Sequence, residues 1–126
     1  RVGSDCPDTD FIAKLVEVTP DGRAVLLMDG VMRALYRDPD AGPQPLTPGQ
    51  VYELRIELGD IHHTLGAGSR LQVDVTSSNF PRRARNTNSG NPVLAADGDS
   101  GIRVATNTVH HGDAAPSYLE YCALLD

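Results

Sequence analysis

The sequence predicts an all-β fold, an antiparallel sandwich of about seven short strands, and three observations carry the prediction. Its 126 residues include 12 glycines and 9 prolines, which cut the chain into short segments and leave no room for long helices. Two stretches, Gln50 to Leu58 and Ser69 to Ser77, alternate apolar and polar side chains with a period of two, the mark of half-buried strands. Turn signals stand between the apolar runs. With 40% hydrophobic residues the chain can build a core, and a domain of this length buries roughly two-thirds of its unfolded surface. There is no Trp, and the aromatics are Phe11, Phe80, Tyr36, Tyr52, Tyr118 and Tyr121, so the core rests on Val, Leu, Ile and Ala.

Taken in order, Thr9 to Thr19 is dense in Phe, Ile, Val and Leu and ends at the turn Pro20-Asp21-Gly22. Ala24 to Met28 reads as the second strand, Asp29-Gly30 as a two-residue hairpin turn, and Val31 to Arg37 as the third strand of a meander. Prolines 39, 43, 45 and 48 make the next segment an irregular crossing loop. In the Gln50–Leu58 strand Tyr52, Leu54, Ile56 and Leu58 share one face, and in the Ser69–Ser77 strand Leu71, Val73 and Val75 face inward. Residues 78–101 are polar and rich in Asn, Gly and Arg, a single long loop. Ile102 to Val109 and Ser117 to Leu125 are the last strands expected. Arg1-Val2-Gly3-Ser4 looks like the tail of a strand already under way, so the expectation is a sandwich lacking its first strands.

The charge narrows the partners. Seventeen acidic against eleven basic side chains give a net charge of −6, which argues against nucleic acid, since phosphate binding needs a basic footprint. The longest apolar run, Ala24 to Met28, is far short of the roughly 20 residues that cross a bilayer, so no membrane association is expected. No secretory signal is visible, which favours the cytoplasm. Cys6 and Cys122 fit either one bridge closing most of the chain or two separate thiols.

Catalytic motifs are present only as fragments. Gly98-Asp99-Ser100-Gly101 resembles the surroundings of a protease nucleophile, yet such a serine needs a base and an orienting carboxylate from a fold about twice this size. It reads as a turn-rich loop, and it lacks the acidic spacing of a calcium loop. Gly66-Ala67-Gly68-Ser69 is followed by a strand rather than a helix, so it is no nucleophile elbow. The histidines come as two adjacent pairs, His62-His63 and His110-His111. Strand neighbours point to opposite faces, so neither pair converges on one metal, and neither metal nor cofactor is expected. Asp5, Asp8 and Asp10 read as solvated loop carboxylates, with Asp8 or Asp10 available to an arginine. Ten of the eleven basic residues are arginines, whose planar fork suits carboxylates at interfaces.

Several strings together resemble one family. Ser4-Asp5-Cys6-Pro7-Asp8-Thr9-Asp10-Phe11 opens the likeness, followed in order by Pro20-Asp21-Gly22-Arg23-Ala24, Asp29-Gly30 with Arg33 and Tyr36-Arg37, and Leu46-x-Pro48-Gly49-x-Val51-Tyr52. Gly68-x-Arg70-Leu71, Ser77-Ser78-Asn79-Phe80-Pro81-Arg82, Thr108-Val109-His110-His111 and Pro116-Ser117 complete it. The set is similar to the C-terminal non-catalytic β-sandwich of X-prolyl dipeptidyl-peptidases, cocaine esterase, glutaryl acylases and α-amino-acid ester hydrolases. Cys6 stands where the family pattern has alanine, and His63-Thr64-Leu65 departs from the family's Thr-Ser-His.

The resemblance implies a jelly-roll-like (galactose-binding-like) sandwich over residues 1–126, the C-terminal part of a larger serine hydrolase whose α/β-hydrolase catalytic domain is the partner. No catalytic residue carries over to this chain. The loop holding Asn79, Phe80, Pro81, Arg82, Arg83 and Asn86 is the expected inter-domain contact, with Arg82 to Arg85 meeting carboxylates of the hydrolase domain. Its truncated edge invites self-association. The alternative is a free-standing carbohydrate- or ligand-binding jelly roll, which the scarcity of aromatic platforms disfavours.

Overall fold

A computed structural model describes residues 1–122. Among them are five strands, β1 (Val2–Ser4), β2 (Asp10–Val18), β3 (Ala24–Arg33), β4 (Arg70–Thr76) and β5 (Asn107–Val109), all paired antiparallel. Three single-turn 3-10 segments, Ala34–Tyr36, Leu94–Ala96 and Asp99–Gly101, are the helical content of that region. No helix there is long and apolar enough to cross a membrane.

Three strands form one sheet in the order β3-β2-β4, and β1 pairs with β5 in a second. β2 is central because its apolar residues occupy both parities: Phe11, Ala13 and Leu15 on one face, Ile12, Val16 and Val18 on the other, all buried. Lys14 stands between Asp29 and Asp74 across the two ladders, opposite charges on neighbouring strands. The second layer lies over the Phe11 face. Val2, Phe11, Ala34 and Leu46 make its core, with Tyr52, Leu54 and Ile56 packed against them.

Several sequence expectations change here. Asp29-Gly30 is not a turn: β3 runs unbroken through it, Asp29 opposite Lys14 and Gly30 opposite Ala13. The meander of three strands is therefore one hairpin, turning at Pro20-Asp21-Gly22, where Gly22 takes φ 84° and Thr19 and Arg23 close the loop. Segment 50–58 keeps its expected alternation of half-buried and exposed residues. Its ladder, however, is a single bridge, Val2 to Tyr52. The expected strand 102–109 shrinks to β5, and residues 117–122 are irregular. The rest of that last expected strand, residues 123–125, lies outside the described residues.

The proline-rich segment crosses as expected and is tied at both ends. Arg37 donates to the carbonyls of Ala34 and Gln44 at 3.1 and 2.5 Å and stacks on the Tyr52 ring, 4.6 Å from its centroid. Leu46 N–H donates to the Pro7 carbonyl at 2.7 Å, which brings Leu46 into the core.

Candidate functional site

The long loop after β4 is anchored on buried carboxylates. Asp8, fully buried, accepts from Arg33 Nε at 2.7 Å and Asn86 Nδ2 at 3.1 Å on one oxygen, and from Leu35 N–H at 3.0 Å on the other. The Asn86 amide also donates to Asp10 at 2.7 Å. Arg33 continues outward to the carbonyls of Asn91 and Pro92, at 2.6 and 3.0 Å. Asp97 gathers the hydroxyls of Ser89 and Thr87 and the Asn91 amide. Burial pushes the Asp10 carboxyl up, against the pull of Asn86, whereas the Ser89 and Thr87 hydroxyls hold Asp97 below its ordinary range.

Asp8 and Asp10 are therefore not solvated loop carboxylates. The expectation that one of them meets an arginine holds for Asp8. Asn86, expected at an inter-domain surface, is 5% exposed and serves as an internal staple between two carboxylates. A carboxamide with two acceptors available inside the fold is drawn there, because a buried polar group without a partner is costly.

The remaining five expected contact residues sit on one turn with a second anchor. Asn79 Nδ2 donates to Asp29 Oδ2 at 2.7 Å, and Arg82 Nη1 lies 3.0 Å from Asp29 Oδ1. The Arg83 N–H closes the turn on the Asn79 carbonyl at 3.0 Å. Arg82, expected to meet a carboxylate of another domain, pairs with its own chain's Asp29. Phe80, Pro81, Arg83 and Arg85 are exposed. Asp29 and Arg33 are the residues that sequence reasoning missed: a turn reading of Asp29-Gly30 hid a carboxylate that faces partners some fifty positions away.

The nearest approach to a catalytic grouping is around Glu17. His63 Nε2 is 2.8 Å from Glu17 Oε2, and the Gly66 N–H donates to Oε1 at 3.3 Å. The Ser69 hydroxyl lies beside this carboxylate and helps to keep it ionised. The order is wrong for nucleophile activation, in which the imidazole must stand between serine and carboxylate. Here the carboxylate stands between the other two, and the arrangement straps segment 59–69 onto the end of β2. Ser100 is exposed on its 3-10 turn, and among the described residues no three His, Cys, Asp or Glu side chains converge as a metal ion requires. Cys6, buried against the Val104 carbonyl, and Cys122, exposed, are not bridged.

The strap carries a pH prediction. Hydrogen bonds from Ser69, His63 and Gly66 hold the Glu17 carboxyl below the usual glutamate range. Because the folded value lies beneath the unfolded one of about 4.3, the strap's contribution is full above that pH and is lost as the pH falls through the folded value. The protection of the Gly66 amide against hydrogen exchange, taken relative to an unstructured amide at the same pH, is expected to fall on acidification below about pH 4. In Glu17→Gln that protection is expected to be lower at neutral pH and nearly constant over the same acid range. Constant protection in the parent chain would remove the strap.

Between the two layers lies an open apolar cleft of about 510 Å³. Phe11 and Ala13 of β2 form its floor, Val73 and Val75 of β4 one wall, and Leu54, Ile56, Val109 and Leu119 the other. Val73 and Val75 face inward as expected, yet remain 42% and 43% exposed, because β4 is an edge strand and the second layer does not reach over it.

Comparison with known proteins agrees with this architecture. Residues 1–120 match the family model described as the X-Pro dipeptidyl-peptidase C-terminal non-catalytic domain. The chain is 41% identical over 118 residues to cocaine esterase of Rhodococcus sp. (strain MB1 Bresler), which covers 94% of this chain and 20% of the esterase. Among solved structures, an aminopeptidase from the marine sediment archaeon Thaumarchaeota archaeon superposes with a TM-score of 0.76 at 30% identity. A selenomethionine-labelled α-amino acid ester hydrolase superposes with a TM-score of 0.78 at 27% identity. Each match covers 84% of this chain and 19% of the solved one. The chain thus spans about a fifth of the length of these relatives.

Proposed function

Because the chain belongs to the family of X-Pro dipeptidyl-peptidase C-terminal non-catalytic domains, we propose that it is the accessory sandwich of a serine hydrolase acting on esters, amides or X-Pro peptides. It braces an α/β-hydrolase domain of the same polypeptide and shapes the rim of that domain's cleft. Residues 1–126 form one domain at the C-terminal side of the parent, and the bond-breaking residues lie in the catalytic domain.

The observation that carries this reading is the family match, which runs through residues 1–120 and takes in a segment occupying about a fifth of an esterase. The geometry is compatible with it. The only Ser–carboxylate–His grouping described above has the wrong order, and the exposed valines along β4 leave an apolar wall to be covered by something outside the described residues. Uncovered apolar area of this kind and an unpaired strand edge favour association.

Two measurements test the proposal. The parent polypeptide is expected to carry Gly-x-Ser-x-Gly upstream and to hydrolyse a chromogenic ester, with activity abolished by replacing that serine. Turnover by the 126-residue chain alone, lost on replacing Ser69 or Ser100, would overturn it. The chain alone is further expected to sediment as a dimer or larger through the β4 edge, and a strictly monomeric, well-dissolved species would remove the self-association.

A further inference from the structure

The turn at residues 79–83 is pinned at both ends to one carboxylate. Asn79 and Arg82 hold the two oxygens of Asp29, whose side chain is only 5% exposed, and the Arg83–Asn79 backbone bond closes the loop. Between the two anchors Phe80 is 76% exposed. An exposed phenylalanine on a mobile loop loses much of what it gains on binding, because ordering the loop costs free energy at that moment. On a turn already fixed by two hydrogen bonds and an ion pair that cost is largely absent. The ring is flanked by Arg82, Arg83 and Arg85, a basic cluster on a chain of net charge −6. A rigid aromatic surrounded by arginines is the composition of an interface anchor.

We infer that Phe80 is the anchor of the docking turn and inserts into an apolar recess rimmed by carboxylates on the hydrolase domain of the same polypeptide, with Asp29 as the residue that positions it. The inference rests on the accessory-domain reading and names its point of attachment. The occupant follows from length and charge. About four-fifths of each relative lies outside the matched region, and a covalently attached partner is present at an effective concentration on the order of millimolar. A second copy has no such advantage, and an anionic membrane would be repelled by the acidic remainder of the chain.

The test uses the full-length polypeptide in two forms. With p-benzoylphenylalanine in place of Phe80, irradiation is expected to form an intrachain cross-link to a residue upstream of this segment. A cross-link between two copies, to lipid, to this segment itself, or none at all would overturn the inference. Scanning calorimetry of Phe80→Ala, whose ring makes too little contact within its own chain for the sandwich to unfold, is expected to split or lower a transition shared by the two domains. A shared transition that Phe80→Ala leaves in place would overturn the anchor while the accessory reading stands. Two independent transitions in the unmodified polypeptide would overturn the accessory reading itself.

Discussion

Replacing Asp8 with alanine is expected to cost about 3–5 kcal/mol, the range for removing one partner of a buried ion pair. The residue is fully buried and satisfies three donors, Arg33 and Leu35 where β3 ends and Asn86 on the long loop. Without it the Arg33 guanidinium keeps its two loop carbonyls but loses its counter-charge in a site where its side chain is 19% exposed. The Leu35 N–H is left without an acceptor, and Asn86 retains Asp10 alone. Urea unfolding at fixed protein concentration is expected to show the loss, and trypsin is expected to reach Arg103 sooner, because Asn86 is held less firmly and the neighbouring Thr87 and Asn88 are what bind the Arg103 backbone. Asp10→Asn is the control, because it sits on the same Asn86 amide and its new carbonyl can still accept from it. Burial, and then the nearby Asp8 charge, raise the Asp10 carboxyl. The native state therefore takes up the proton before the unfolded one, and the charged form is a penalty present above the folded value and relieved towards about pH 3.9. Asp10→Asn is expected to be no less stable than the parent at pH 7, with that advantage shrinking on acidification. Equal losses from the two substitutions would mean that the pairing with Arg33 adds nothing.

What the sequence revealed divides along the range of the forces involved. Apolar density marked β2, and the period of two marked the half-buried faces of β4 and of segment 50–58, because burial is written into each residue's own chemistry. The Pro20-Asp21-Gly22 turn was legible for the same reason, since its glycine must adopt a positive φ. Asp29-Gly30 carries the same local signal and yet lies within a strand. Nine residues of β2 offer ladder partners on either side of it, and that pairing outweighs a dipeptide preference. The site was half legible. Length and polarity picked out the loop that holds Phe80, but nothing local tells a solvent-facing Asn from one that staples two carboxylates. Asn86 and Asp8 are 78 positions apart. Asp8 and Asp10 were misread for the same reason, while Asp5 is exposed as expected: Asp8 is stabilised by Arg33 and by a backbone amide that only the fold brings near.

The second large effect is expected at Gly30, where the requirement is space rather than backbone freedom. A Cβ built on Gly30 overlaps the Glu57 carbonyl oxygen and comes within 3.0 Å of Ile56 Cγ2 and 3.1 Å of the Glu57 carbonyl carbon. Backbone cannot swing aside as a long side chain can, so relief must come from moving segment 50–58 as a unit. That segment brings Tyr52, Leu54 and Ile56 onto the core cluster of Val2, Phe11, Ala34 and Leu46. Lifting it at Gly30 thus loosens the contact between the two layers. Overpacking of this kind costs about 1–3 kcal/mol and more where no repacking is available. Gly30→Ala is expected at or above the top of that range, and Gly30→Val beyond it. Gly98→Ala provides the comparison, since an added Cβ there meets nothing within 4 Å and the residue needs no positive φ. It is expected to leave the urea midpoint within error of the parent, while Gly30→Ala lowers it sharply and raises exposure of Ile56 to hydrogen exchange. If the two glycines tolerate alanine equally, the layers are not in contact at this point and the packing of segment 50–58 over β3 is wrong.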